Sequence, residues 1–559
     1  MTSRKTRWMA RQLPVWLTCG VVSCTSVDIS QRKDTTVDNS LVRIEDGDTY
    51  LAAEPPYIGV AISGGGNRSA IYAAYVMELL STLPVRTNAQ GKTDSFMDTV
   101  QYISSVSGGG FAASYYAVHK QDYPVSGPSW DDKKKYFFES FHRSMNKDWE
   151  SALAWRLIGS ALIQSPAGAL DKKLNEDFLQ GKTFADLEAL EKTGKSPVII
   201  FNSTHYDTGR RFVMTNLPTQ AFALPVDTLV ASLAKLNYVQ ASQPGKLSTL
   251  AYQQELTSVH SLALQTYEAT YTTSKDEPRN NLVPDGFDAL KGPGSIALEY
   301  KSMPISRAVA ASGAFPMVGP LSLTVRGLDG TALPEYTYTH LIDGGVTDNS
   351  GVESLAQLFL RELEHRSKAH ALVVMIDASL PFREDSPSFK NKTEPLAILL
   401  SDPARLSDEQ GERADFYRNV LWGLAGGNSD MTPGTENNSV SRTKIIVMRH
   451  TDLFDPREAK GLGILLNRHA LGKNQTIQLR GCPAYSRDEA RKFVAGIPTR
   501  YALGQCEESW LRLAACSSVL KNAAAIANFY EMDKGTTLHH LEPDGEVEAR
   551  ASALCPELR

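Results

Sequence analysis

Long apolar runs are missing from this chain of 559 residues. No interior stretch of about 18 or more uncharged apolar residues occurs, which excludes a multi-span membrane protein. Cysteine is scarce, with six residues in all, so the chain is not a mini-scaffold built on disulfides. Excess basic charge is missing too: 58 Lys and Arg against 63 Asp and Glu leave a formal net charge of −5, and nothing in that balance suggests a nucleic-acid partner. No internal repeat is evident. No GxGxxG, GxxxxGK[ST] or close CxxC pair occurs either, which weakens nucleotide binding and argues against a zinc site. What remains is 42% hydrophobic and 22% charged residues, the proportions of an ordinary globular protein. At roughly 150 residues per domain the length allows two to four domains, or one large domain with insertions.

The N-terminus has the pattern of an address. Residues 1–24 read MTSRKTRWMARQLPVWLTCGVVSC: Arg4, Lys5, Arg7 and Arg11 precede an apolar stretch from Leu13 to Val22, too short to span a bilayer comfortably. The run ends Val21-Val22-Ser23-Cys24, resembling a bacterial lipoprotein signal in which the cysteine is lipidated and becomes the new N-terminus. On that reading residues 1–23 are removed, Cys24 carries the lipid, and the polar residues 24–55 tether an exported protein to the membrane of the cell envelope. A plain cleaved signal peptide, or an uncleaved basic amphipathic N-terminus, are the alternatives. Export fits the other cysteines. Cys482, Cys506, Cys516 and Cys555 cluster in the last part of the chain and can form two disulfides in three connectivities; in the cytoplasm they would be buried thiols.

Short, apolar, β-branched segments at Tyr57–Ile62, Val100–Val106, Val198–Phe201, Leu341–Ile342 and Ala371–Ile376 suit strands buried on both faces, with a further strand-like stretch at 443–450. Helical patterns at Ser69–Leu80, Gly110–His119 and Val352–His365 lie between them, the last with Asn349 or Ser350 as its expected cap. This alternation argues for an α/β layered domain with a mainly parallel sheet. The expected division is a main domain over 56–390, interrupted by insertions at 121–195 and 217–300, and a cysteine-bearing C-terminal extension over 391–559.

Three glycine clusters each follow an expected strand. In Ser63-Gly64-Gly65-Gly66-Asn67-Arg68 the glycines permit a tight turn and leave N–H groups at a helix N-terminus, where a phosphate or a developing oxyanion would be stabilised. Ser105-Val106-Ser107-Gly108-Gly109-Gly110 approximates the G-x-S-x-G elbow, with Ser105 in place of the first glycine; such a turn exposes the Ser107 hydroxyl above the sheet edge. In Asp343-Gly344-Gly345-Val346-Thr347-Asp348-Asn349-Ser350-Gly351, Asp343 sits at a strand's C-terminal end, where it could accept a proton, ligate a metal or cap a turn.

In this order, the three clusters resemble the motifs of the patatin-like acyl hydrolases and phospholipases. Ala311-Ser312-Gly313-Ala314-Phe315-Pro316 and Asp207-Thr208-Gly209-Arg210 add to the likeness, which covers roughly residues 57–380. The resemblance implies a three-layer α/β/α fold and a Ser107–Asp343 dyad without histidine. It also implies an oxyanion hole from Gly64, Gly65 and Gly66, with Arg68, Gly109, Gly344, Gly345 and Asn349 in supporting places. It implies a lipid ester as substrate, with phospholipids or acylglycerols cleaved through an acyl-enzyme, and no metal or cofactor. The partner surface expected is a membrane.

Two rival readings stand beside it. Any of His119, His205, His340, His365, His370 or His450 could complete a Ser-His-Asp triad on an α/β-hydrolase fold. The chain could also be a non-catalytic envelope interaction protein that retains the fold, a reading supported only by Ser105. Finally, Tyr136, Phe137, Phe138, Phe141, Trp149 and Trp155 form either a helix face packed on the core or a lipid-contacting lid.

Overall fold

The computed structural model describes residues 26–33, 40–41, 56–87, 92–122, 126–149, 166–223, 283–291, 295–314, 319–336, 338–365, 370–379, 443–454, 476–533 and 546–556. The main sheet contains β1 (Val27–Ser30), β2 (Tyr57–Ile62), β3 (Tyr102–Val106), β4 (Val198–His205), β5 (Arg210–Met214), β6 (Asp285–Gly286), β7 (Leu321–Arg326), β8 (Thr339–Asp343), β9 (Ala371–Asp377) and β10 (Thr443–Arg449). Along its path the order is β1-β7-β8-β4-β3-β2-β9-β10, and β5 pairs with both β4 and β6. The stretch from β4 through β3, β2 and β9 to β10 is parallel throughout. The antiparallel pairs of this sheet are β7 with β8, β8 with β4 and β4 with β5.

Among the described residues, the α-helices of eight or more residues are α1 (Asn67–Leu80), α2 (Gly109–His119), α3 (Asp132–Met145), α4 (Pro166–Leu174), α5 (Phe184–Lys192), α6 (Ile305–Ser312), α7 (Val352–His365), α8 (Arg487–Val494), α9 (Gln505–Asp533) and α10 (Glu546–Leu554). Alternation along the strands divides the apolar side chains between two cores. Ile58, Val60, Ile62, Leu372, Val374 and Ile376 face the larger one, shared with α1, α2, α3 and α9. Tyr57, Ala61, Val373 and Met375 face the other, closed by Val352, Leu355 and Phe359 of α7. Both faces of the sheet are therefore covered, which explains why its central strands are continuous apolar runs rather than alternating ones. The result is the three-layer α/β/α arrangement expected.

Every residue of α1 is buried, so its outer face needs a cover as well as its inner one. The C-terminal part of the chain supplies it. Tyr72 Oη donates to Ser518 Oγ at 2.9 Å and Tyr75 Oη to Glu508 Oε1 at 2.8 Å, both on α9. Arg550 of α10 pairs with the buried Glu78. The described residues beyond 390 thus complete the same core, and β10 extends the same sheet. The described parts of the segments expected as insertions pack against it too. Phe137, Phe138, Phe141 and Trp149 are all but fully buried, so this aromatic stretch is core rather than lid; Tyr136 alone is exposed, and Trp155 lies outside the described residues.

Within the polar segment 24–55, expected as a tether, one short stretch is a strand. Val27–Ser30 form β1, parallel to β7, with Ile29 buried and Asp28 paired to Arg326 at 2.8 Å. A four-residue edge strand with one buried side chain leaves too little pattern to read. Cys24 and residues 1–23 lie outside the described residues. The four C-terminal cysteines adopt one of the three connectivities, Cys482–Cys506 and Cys516–Cys555.

Candidate active site

Strand β4 brings the two distant motifs together. One of its edges pairs with β5 from Phe201 to His205. Its other edge pairs with β3 only as far as Asn202, opposite Val106, and from Ser203 onward it pairs with β8, beginning at Asp343. Because β3 runs parallel and β8 antiparallel to β4, their C-terminal ends meet head to head. Ser107 and Asp343, 236 residues apart in sequence, are thereby adjacent, and Ser107 Oγ donates a 2.7 Å hydrogen bond to Asp343 Oδ2.

Ser107 has φ 50°, a left-handed conformation outside glycine, of the kind that costs about 1–3 kcal/mol and persists only where the surroundings enforce it. The enforcement is visible. Its N–H donates to Ser312 Oγ at 2.9 Å, and the Ser312 hydroxyl donates in turn to the Asn202 carbonyl at 2.5 Å. Asn202 Nδ2 also holds the carbonyl of Ser105, at 3.0 Å, and Ser104 Oγ, at 2.9 Å. The small residues after the serine are required by contact. A Cβ on Gly108 would fall 1.9 Å from the Gly66 carbonyl oxygen, and one on Gly109 would fall 2.8 Å from those of Ile62 and Ser63.

Asp343 is 3% exposed. Its Oδ1 accepts from the Gly345 N–H at 2.7 Å, its N–H donates to the Ala314 carbonyl at 3.2 Å, and its carbonyl accepts from Thr204 Oγ1 at 3.0 Å. Burial pushes this carboxyl up to about 6, while the hydrogen bonds from Ser107 and Gly345 pull the other way. Gly344 is fixed by close approach, since a Cβ there would lie 2.2 Å from the Asn202 carbonyl oxygen.

The glycine loop lies over the serine, with Gly64 closest: a Cβ built on it would stand 3.4 Å from Ser107 Cβ. The three glycines expected as donors are not equivalent. Gly64 gives its N–H to the Asn349 carbonyl at 2.9 Å, whereas the N–H groups of Gly65 and Gly66 have no partner among the described residues. The Gly108 N–H at the start of α2, a helix N-terminus expected to stabilise negative charge near Ser107, likewise has no partner among the described residues. Arg68 turns away from the dyad into the interior, where Nε donates to the Ala378 carbonyl at 2.7 Å and Nη1 to that of Ile497. Asn349 does not cap α7: its Oδ1 lies against Gly64 and Gly345. Asp348 and Ser350 do the capping. The Asp348 carboxylate accepts from the N–H groups of Ser350 and Glu353, and Ser350 Oγ from that of Val352.

Among the described residues no histidine bonds to Ser107 or Asp343. His205 Nδ1 faces Asp285 at 3.0 Å, His119 Nε2 the Phe178 carbonyl at 2.9 Å and His340 Nδ1 the Ser322 hydroxyl at 2.8 Å. His450 is fully buried, 3.5 Å from the Asp377 carbonyl. Asp207–Arg210 forms the turn between β4 and β5, with Arg210 directed at Asp285. Phe315 and Pro316 lie outside the described residues.

The family model for patatin-like phospholipases matches residues 60–356, from β2 into α7 and across all three glycine clusters. This chain belongs to the patatin-like phospholipase family. Among solved structures, human GIVD cytosolic phospholipase A2 is similar at 12% identity with a TM-score of 0.33, covering 86% of this chain and 62% of that one. The same human enzyme in complex with methyl gamma-linolenyl fluorophosphonate and terbium chloride gives 11% identity and a TM-score of 0.35, covering 86% and 60%. The chain thus spans less than two thirds of the length of those proteins. Comparison with curated protein sequences finds no match. Within the patatin-like frame, Ser312 and Asn202 are the supports that sequence reasoning missed. Ser312 stood in a recognised motif without a role, and Asn202 carried no signal beyond a polar residue ending an apolar strand.

Proposed function

We propose that this chain is a serine lipid acyl hydrolase that cleaves carboxylic esters of phospholipids or acylglycerols through a Ser107–Asp343 dyad. The observation that carries the proposal is the 2.7 Å hydrogen bond from a left-handed Ser107 to a buried Asp343, with no histidine bonded to either among the described residues. Asp343 takes the hydroxyl proton as Ser107 Oγ attacks the ester carbonyl, and returns it to the departing alcohol. A carboxyl raised to about 6 is a stronger base than a free aspartate and is still ionised at neutral pH. The tetrahedral oxyanion is received by the open N–H groups of Gly65 and Gly66, with that of Gly108 on the serine side; one such donor is worth roughly 100- to 1,000-fold in rate. Water, activated by the same carboxylate, then releases the acyl group from Ser107.

The same proposal places the protein outside the cytoplasm, anchored through Cys24. The two C-terminal disulfides suit an oxidising compartment. A membrane anchor would raise the local concentration of a soluble fold at an insoluble substrate. The test is acyl release from a panel of defined phospholipids, lysophospholipids and acylglycerols by wild type, Ser107→Ala and Asp343→Asn. Loss of release in both variants with intact folding supports the proposal, and wild-type release by either refutes it.

A further inference from the structure

The glycine loop presents its open amides from a backbone that glycine leaves free to move. Gly65 has φ 135° and Gly66 φ 56°. Donors aimed at an oxyanion are useful only if they are held in place before the charge develops, so what holds this loop matters. Its inner side is tied to Asn349 and Ala378. Its outer side is tied to a short strap, Ile497–Tyr501, that lies outside the family-matched residues. The Asn67 N–H donates to the Arg500 carbonyl at 2.8 Å, and Arg68 Nη1 donates to the Ile497 carbonyl. A Cβ on Gly66 would stand 2.7 Å from the Arg500 carbonyl oxygen, so strap and loop are in backbone contact.

Tyr501 fastens the far end of this strap. Its hydroxyl donates to the Gly313 carbonyl at 2.6 Å, and its own carbonyl accepts from the Trp149 N–H at 3.1 Å. Gly313 stands between the two residues that orient the dyad: Ser312, which receives the Ser107 N–H, and Ala314, whose carbonyl receives the Asp343 N–H. The strap therefore bridges the oxyanion donors to the segment that positions nucleophile and base.

We propose that Tyr501 is a positioning residue for acyl transfer: its hydroxyl, on the Gly313 carbonyl, locks the Ile497–Tyr501 strap across the glycine loop and keeps the Gly65 and Gly66 amides in register with Ser107. This rests on the dyad reading above. Tyr501→Phe removes only the hydroxyl. Tyr530→Phe is the control, losing a comparable hydrogen bond to Thr99 near the C-terminal end of α9, with no bond to the strap or the glycine loop among those observed. Active sites are titrated with an alkyl fluorophosphonate, and hydrolysis of a medium-chain p-nitrophenyl ester is measured per titrated site. The expected result for Tyr501→Phe is a roughly three- to tenfold lower kcat per site, the effect of one lost hydrogen bond, with KM little changed and the number of sites retained. Tyr530→Phe is expected to keep wild-type kcat per site. A merely structural role would lower the number of titratable sites and leave kcat per site unchanged, and that result overturns the inference. Ser107→Ala, run in parallel, separates the two claims: if it still titrates and turns over, the dyad reading has failed rather than the role of Tyr501.

Discussion

In the proposed mechanism, Asp343 concentrates the chemistry of this site in one carboxyl. Burial raises it from 3.8 to about 6, so it binds its proton more tightly in the folded than in the unfolded chain. Ionised Asp343 therefore costs stability; the cost is fully present above about pH 6 and disappears as pH falls through the unfolded value. Asparagine can accept from the Gly345 N–H and meet the Ser107 hydroxyl without that charge. Asp343→Asn is accordingly expected to unfold at higher temperature than wild type at pH 7–8, by an equivalent of up to about 3 kcal/mol, with the advantage shrinking towards pH 4. Turnover in the same variant should fall roughly 100- to 10,000-fold, while wild-type kcat/KM climbs with pH through about 6 as the base ionises. Thermal melts and pH–rate profiles check both. Ser107, Asp343 and the glycines were legible in the sequence because each follows an apolar run and breaks it. Ser312 and Asn202 were not, because their work is done by a hydroxyl and a carbonyl oriented in three dimensions.

At the scale of elements, legibility followed continuous apolar runs. Tyr57–Ile62, Ala371–Asp377 and Thr443–Arg449 stand where apolar patterning put them, and Val352–His365 matches its expected helix end to end. The main-sheet strands missed are the edge strand β1, β5 with its two arginines, the two-residue β6 and β7, where apolar and polar residues alternate; none is a continuous apolar run. The head-to-head meeting of β3 and β8 was also out of reach, since it depends on how β4 divides one edge between two partners. In the C-terminal part, the Cys482–Cys506 bond closes a segment with a sequence separation of 24 residues that contains the strap. Cys482→Ser with Cys506→Ser should lower the unfolding free energy by about 3 kcal/mol, measured by denaturant titration against the oxidised wild type. Unchanged stability would mean that the packing of α8 and α9 holds this segment without help.

On the scale of the whole molecule, described residues beyond the family-matched stretch pack into the same body as the candidate site. They cover α1, extend the sheet through β10 and press the strap onto the glycine loop. Composition and periodicity pointed to a layered α/β chain but gave no sign of this return, because α9 is read in sequence only as another helix. The proposed anchor is a separate matter of address. Cells fed a clickable fatty acid should label the wild-type protein and leave Cys24→Ser unlabelled, with the variant moving from the membrane to the soluble fraction; equal labelling would remove Cys24 from the account.

In the proposed mechanism the hydroxyl of Ser107 is the nucleophile and the carboxyl of Asp343 its base. The most direct test is mass-spectrometric mapping of the adduct formed by an alkyl fluorophosphonate, with its rate of formation. A single adduct on Ser107 is expected, absent in Ser107→Ala and formed at least about 100-fold more slowly in Asp343→Asn. An adduct on another residue, or an unchanged rate in Asp343→Asn, would contradict it.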